Sequence, residues 1–185
     1  MNHALLPSPL GPIALTFDGG ALTGLYFDGQ KHQPALTTSG PRQDDDPIAK
    51  RIAALLDRYF KGEAVELDMP LAMHGTPFQR KVWAALLTIG RGRTSTYGEL
   101  ARQIGSPAAV RAVGSAVGRN PVSIFVPCHR VIGRDGSLTG YAGGLERKEH
   151  LLALEGVLPA ASLTLPAASL TLPGMRSPPV MPETR

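Results

Sequence analysis

The spacing of apolar positions changes period several times along this chain, and each change predicts an element. Residues 13–17 and 22–27 are short β-favouring runs separated by Asp18-Gly19-Gly20, and Asp28-Gly29 closes the second run, so a hairpin is expected. At Asp46 the period lengthens. Asp46 and Pro47 supply an N-cap and a first-turn proline, Ile48, Ile52, Leu55, Leu56, Tyr59 and Phe60 recur at helical spacing, and Gly62 is the stop. Residues 65–69 then read as a short returning strand. The first 73 residues predict a small α/β unit, a sheet plus a helix, with no cluster of titratable side chains and no function of its own.

From residue 74 the helical period dominates. Thr76 can cap and Gln79 can reach back to it, and Phe78, Val82, Leu86 and Ile89 form one apolar stripe. After the Gly-Arg-Gly turn at 90–92, residues 97–104 and 108–120 read as two short helices around Gly105-Ser106-Pro107, the outline of a helix-turn-helix. In the second of these, Val110, Val113 and Val117 predict a buried stripe, whereas Ala108, Ala112, Ser115 and Gly118 keep the rest small. Such a surface can lie close against another backbone, either a partner's or the protein's own. Residues 122–126 read as a buried strand, and a last helix runs from about Leu145 to Gly156.

The expected architecture is thus an α/β amino-terminal domain (1–73) and a mostly α, winged-helix-like helix-turn-helix domain (74–157). A flexible appendage (158–185) follows, in which Pro-Ala-Ala-Ser-Leu-Thr-Leu occurs twice in succession, at 159–165 and 166–172. With 43% hydrophobic and 18% charged residues, collagen, coiled coil and wholesale disorder are excluded. No apolar run reaches the roughly 18–20 residues that span a bilayer, and the first residues do not resemble an export signal; a soluble cytoplasmic protein is expected. The net charge of +4 hides a split: residues 74–157 carry 11 basic and 5 acidic groups, and nine of the cations are arginines. That favours a polyanionic partner, although an ordinary solvated basic surface would carry the same balance.

Cys128 is the single cysteine, which excludes an internal disulfide and a multi-cysteine zinc site. A free thiol with a pKa of about 8.5 needs a proton acceptor to act as a nucleophile, and His129 is the local candidate. Neighbours in extended chain point apart, so the pair would have to sit in a turn or work through a water. Glu155 falls in the last helical turn, where the macrodipole disfavours an anion, and its i−4 and i−3 neighbours are Leu151 and Leu152. Either it is solvated at a frayed end or it has a partner; a Cys128, His129, Glu155 chain would match a nucleophile–base–orienter triad.

Pro-Cys-His-Arg-Val at 127–131, Gly-Tyr-Ala-Gly-Gly at 140–144 and Lys-Glu-His-Leu-Leu-Ala-Leu-Glu-Gly at 148–156 occur together in that order. With Tyr97 and Arg111-Ala112-Val113-Gly114, they make the segment from about Thr76 to Gly156 resemble the O6-alkylguanine-DNA alkyltransferases. The resemblance implies irreversible, single-turnover transfer of an alkyl group from O6 of guanine, and more weakly O4 of thymine, to Cys128. It further implies that His129 takes the thiol proton through a water, that Glu155 orients His129, and that Asn120 braces the turn. Tyr97 would give a proton to the leaving guanine, and Arg111 would fill the stack after the damaged nucleotide rotates out.

By the same resemblance the Cys128 and Val131 carbonyls would read the exocyclic amine, backbone amides around Tyr141 and Ala142, with Ala where some relatives have Ser, would donate toward O6, and Tyr141 would wall the pocket. Arg130, Ala108, Ala112 and Ser115 complete the expected DNA and substrate contacts, with the small-residue helix in the minor groove. No cofactor and no metal are expected, and the partner is duplex DNA, bound by a monomer. The rival readings are a non-catalytic lesion sensor, which Cys128 argues against, a helix-turn-helix regulator, and a Cys-His hydrolase that would turn over repeatedly.

Overall fold

The computed structural model describes residues 1–36 and 39–163. The expected hairpin is formed by β2 (Ile13–Asp18) and β3 (Ala21–Phe27), with Gly19 and Gly20 at φ 52° and 85° in the turn. Two successive positive φ values suit glycine and match the twist of the flanking strands. A strand not anticipated from the pattern, β1 (Asn2–Leu6), pairs antiparallel with the free edge of β2. Polar and apolar residues do not alternate along its sequence, although pairing with β2 buries Ala4 and Leu6 and leaves His3 and Leu5 half-buried.

α1 (Pro47–Phe60) starts where the cap predicts: the Asp46 carboxylate accepts from the Ile48 N–H at 2.8 Å, and the helix buries Ala49, Ile52, Leu56 and Tyr59. Residues 65–69 are not a strand. Their side chains alternate between half-buried and exposed as a strand's would, but pairing begins only at Leu71, which bridges Leu22. Pro70 has no N–H to extend that bridge backward.

The second half opens on α2 (Pro77–Leu86), where Thr76 and Gln79 form the expected capping box. After β4 (Ser95–Thr96), a second capping box of Thr96 and Glu99 starts α3 (Tyr97–Gln103). The next helix differs from expectation: Pro107–Ala109 is a 3-10 turn, α4 is Val110–Gly118, and Asn120 lies beyond it. Val110 is 39% exposed, and the inward face is Val113, Ala116 and Val117. Val110 keeps the helical phase of Val113 and Val117 but is the first residue of α4, and there its side chain stays exposed. The Trp83 indole N–H donates to the Ala116 carbonyl at 2.9 Å, which ties α2 to α4. β5 (Val131–Ile132) pairs in parallel with β4, and α5 (Leu145–Leu154) closes the fold.

The halves share one continuous apolar core running from Ala4 and Leu6 to Leu151. Polar seams reinforce it. The Leu25 N–H donates to the Pro121 carbonyl and the Ser123 N–H to the Leu25 carbonyl, both at 2.8 Å, so β3 holds the approach to Cys128. Arg147 lies 4.9 Å from the Phe27 ring centroid and donates to the carbonyls of Leu10 and Gly143. Past α5, the 3-10 turn Ala160–Leu163 is followed by the remainder of the duplicated segment, from 164 on, which lies outside the described residues. Among the described residues no helix is long and apolar enough to cross a membrane.

Candidate active site

Residues 122–126 were expected to be a strand and are instead a tight turn. Val122 makes a single bridge to Leu25, and the Val126 N–H then folds back to the Val122 carbonyl at 3.0 Å. Ile124 sits at φ 70°, which a β-branched residue adopts only under constraint. Asn120 supplies that constraint. Its carbonyl oxygen accepts from the Val122 N–H at 3.0 Å, and its amide nitrogen donates to the Val126 carbonyl at 2.8 Å. An apolar run fixes burial, but here a side-chain amide takes the backbone groups a strand would have used.

The same Asn120 amide nitrogen lies 3.0 Å from the Cys128 sulfur. Because the Asn120 oxygen is engaged by an N–H, the amide must present its NH2 to the thiol, which favours the thiolate. Cys128 and His129 lie in a 3-10 turn, Cys128–Arg130, the arrangement their adjacency required. Burial pushes the Cys128 thiol up to about 11, against the pull of Asn120 and of the Lys148 ammonium. The resting sulfur is therefore protonated, and a reaction has to remove its proton.

His129 is fully buried, and its Nε2 lies 3.0 Å from Glu155 Oε1. Burial holds the imidazole below its ordinary range despite that carboxylate. With Glu155 ionised, the ring proton belongs on Nε2 and Nδ1 keeps a lone pair. Nδ1 has no hydrogen-bond partner among the described residues. Burial also opposes ionisation of Glu155, yet hydrogen bonds from His129 and Arg130 more than offset it and keep the carboxyl well below the usual carboxylate range. Arg130 Nε donates to Oε2 at 2.7 Å and Nη2 to Oε1 at 2.9 Å, and the same guanidinium donates to the Ile89 carbonyl. Arg130, expected on the DNA side, is thus turned inward. Glu155 is the capping residue at the end of α5, where Arg130 supplies the positive charge that the helix terminus lacks.

Two further side chains belong to this site and were not foreseen. The Tyr59 hydroxyl, on α1, donates to Glu155 Oε1 at 2.7 Å, so the amino-terminal unit reaches into this cluster. Lys148 is fully buried, and its Nζ donates to the Val131 carbonyl at 2.6 Å and to the Thr139 carbonyl at 2.7 Å. Desolvation, only partly offset by the Cys128 sulfur, lowers this amine to about 8. A signal existed for Lys148: it precedes Leu151, Leu152 and Glu155 by three, four and seven positions, which is one helix face. For Tyr59 there was none beyond its place on an apolar stripe.

The remaining expected residues fall around the same centre. The Tyr97 hydroxyl lies 3.4 Å from the carbonyls of Thr139 and Gly140, and its ring faces Gly114 of α4, where an added Cβ would touch it at 3.7 Å. Tyr141 is half-buried. Burial first, then the neighbouring Cys128 sulfur, push its phenol well above the ordinary value. The Ala142 carbonyl accepts from the Lys31 N–H at 3.0 Å, the Val131 carbonyl accepts from Lys148, and the Cys128 carbonyl accepts from the Val131 N–H. Ala108, Arg111, Ala112 and Ser115 are exposed around α4. Among the described residues no group of three His, Cys, Asp or Glu side chains could hold a metal ion.

Fold and site together define a small sheet-plus-helix unit joined to a mostly helical domain, with one buried free cysteine next to a buried histidine bonded to a carboxylate. Residues 77–157 match the family profile described as 6-O-methylguanine DNA methyltransferase, DNA binding domain, and residues 1–73 match its ribonuclease-like domain. A Mycobacterium tuberculosis methylated-DNA–protein-cysteine methyltransferase is 49% identical over 89% of this chain and 98% of its own length. The Haemophilus influenzae protein of the same name is 47% identical over 84% and 86%. A crystal structure of Mycobacterium tuberculosis OGT in complex with DNA superposes with a TM-score of 0.80 at 48% identity, over 89% of this chain and 99% of that one. The chain belongs to the methylated-DNA–protein-cysteine methyltransferase family.

Proposed function

We propose that the protein repairs duplex DNA by moving an alkyl group from O6 of guanine, and more slowly from O4 of thymine, onto Cys128, once per molecule. The observation that carries this reading is the buried Cys128 sulfur held 3.0 Å from the Asn120 amide, next in chain to a buried His129 whose Nε2 is engaged by Glu155 and whose Nδ1 has no partner among the described residues. His129 takes the thiol proton through a water as the lesion enters. The sulfur then attacks the alkyl carbon, the carbon–oxygen bond breaks, and its electron pair returns to the purine, which gains a proton from Tyr97. Glu155 stabilises the imidazolium, and the product is a thioether that no group here can reverse.

DNA is held through the exposed face of α4, whose small side chains admit the minor-groove wall, while Arg111 enters the stack vacated by the rotated nucleotide. The lesion is read by backbone groups around Val131, Tyr141 and Ala142. No cofactor takes part, and the protein works as a monomer in the cytoplasm with access to the nucleoid. Intact-protein mass spectrometry after incubation with duplex DNA carrying one O6-methylguanine tests this. A stoichiometric gain of one CH2 on Cys128, absent from Cys128→Ala, is expected. Tight lesion binding with no mass gain would instead indicate a sensor, and repeated turnover would indicate a hydrolase.

A further inference from the structure

We propose that Tyr59, on α1, is a positioning residue of the active site: its hydroxyl fixes the Glu155 carboxylate toward His129 and shares its negative charge. The proposal rests on the alkyl-transfer reading above and assigns part of the chemistry to the amino-terminal unit. Oε1 of Glu155 faces three donors, Tyr59 at 2.7 Å, Arg130 Nη2 at 2.9 Å and His129 Nε2 at 3.0 Å. The donor that matters for proton transfer is the most distant of the three. Tyr59 and Arg130 draw density from the oxygen on which the imidazole depends, so Glu155 orients His129 without holding its added proton too firmly.

Tyr59 is built to stay in that role. It is 3% exposed, and burial, followed by the charge of Glu155, pushes its phenol well above the ordinary value, so it remains a donor throughout the working pH range. Arg91 packs over its ring, 5.6 Å from the centroid. Arg91 also donates to the carbonyls of Glu63, Gly62 and Leu154 at 2.9, 3.0 and 2.9 Å, clamping the end of α1 to the end of α5. The charged and titratable groups around His129 are Glu155 and Lys148 from α5 and its cap, Cys128 and Arg130 from its own turn, Tyr141 from the following loop, and Tyr59 with Arg91 behind it. Among these, Tyr59 can lose its polar atom while keeping its shape.

The experiment compares the full-length wild type with Tyr59→Phe and with 3-fluorotyrosine placed at position 59, a stronger donor of nearly the same size. Two quantities are read: the His129 Hε2 resonance without DNA, and the pH dependence of the single-turnover transfer rate. Removing the hydroxyl concentrates charge on Oε1. Tyr59→Phe should therefore move Hε2 downfield and raise the low-pH limb of the rate profile by roughly half to one pH unit. Its plateau rate should fall about 3–10-fold because the carboxylate is less firmly aimed. The fluorinated protein should shift both Hε2 and the limb the opposite way, a reversal that lost packing cannot produce. An unmoved Hε2 or an unmoved limb in either folded variant overturns the proposal. The Hε2 reading needs no alkyl transfer, so a wild type that transfers nothing would sink the functional reading separately.

Discussion

Glu155 and Arg111 belong to the same domain and are treated in opposite ways. The Glu155 side chain is fully buried and accepts from Tyr59, His129 and Arg130, whereas Arg111 is exposed and has no side-chain hydrogen bond to any described residue. A buried charge that is not compensated costs several kcal/mol, so the carboxylate cluster has to be completed by the fold itself. The face of α4 is bounded by Ala108, Ala112 and Ser115 and leaves its cation in water, where it costs almost nothing until a phosphate or a gap in a base stack accepts it. Chemistry and stability are therefore joined at the first place and separable at the second.

The sharpest way to break that contrast is Glu155→Gln. It should slow transfer by about 100-fold or more, and by stranding Arg130 it should cost about 3–5 kcal/mol in urea unfolding. A variant that loses rate at undiminished stability would show that the cluster is not compensated internally. On α4, Arg111→Ala should slow transfer from duplex DNA by roughly 10–100-fold, since it removes the group proposed to offset unstacking. Its unfolding free energy should stay within about 0.5 kcal/mol of wild type. The free O6-alkylguanine base should react with the two proteins at similar rates.

Salt gives a smaller reading. DNA affinity should fall steeply between about 50 and 200 mM salt, and each phosphate-contacting arginine that is removed should reduce the log–log slope by about one. The rate with a free base should not respond, because the cluster is screened from solvent. The smallest effect concerns acid. The Glu155 pKa is depressed in the folded protein, so its contribution is present above the unfolded carboxylate value and is lost as pH falls through the folded one. The stability gap between wild type and Glu155→Gln should stay constant down to about pH 4.5 and close only below it, as acid titration of urea midpoints would record.

Much of the fold was legible because the determining interactions are short. Asp46 with Ile48, Thr76 with Gln79, and Gly19-Gly20 act within a few residues, and each produced the element expected. Failures came where a distant group intervened. β1 depends on an edge offered by β2, residues 65–69 lacked a partner until Leu71, and residues 122–126 surrendered their backbone groups to Asn120. Val110 shares the phase of Val113 and Val117, yet at the first residue of α4 it is left exposed, which spacing alone does not reveal.

At the centre, the division follows the same physics. The order of residue types around Cys128, Tyr97, Arg111 and Glu155 is a property of the chain alone, and it carried the family resemblance. What the buried groups do for one another was decided only by packing. Tyr59 reaches Glu155 across 96 positions, Arg130 turns inward instead of toward the DNA side, and Lys148 joins the Val131 and Thr139 carbonyls beneath the site. A local pattern can specify that a polar side chain is buried, but its partner is whichever group the completed core brings within hydrogen-bonding distance.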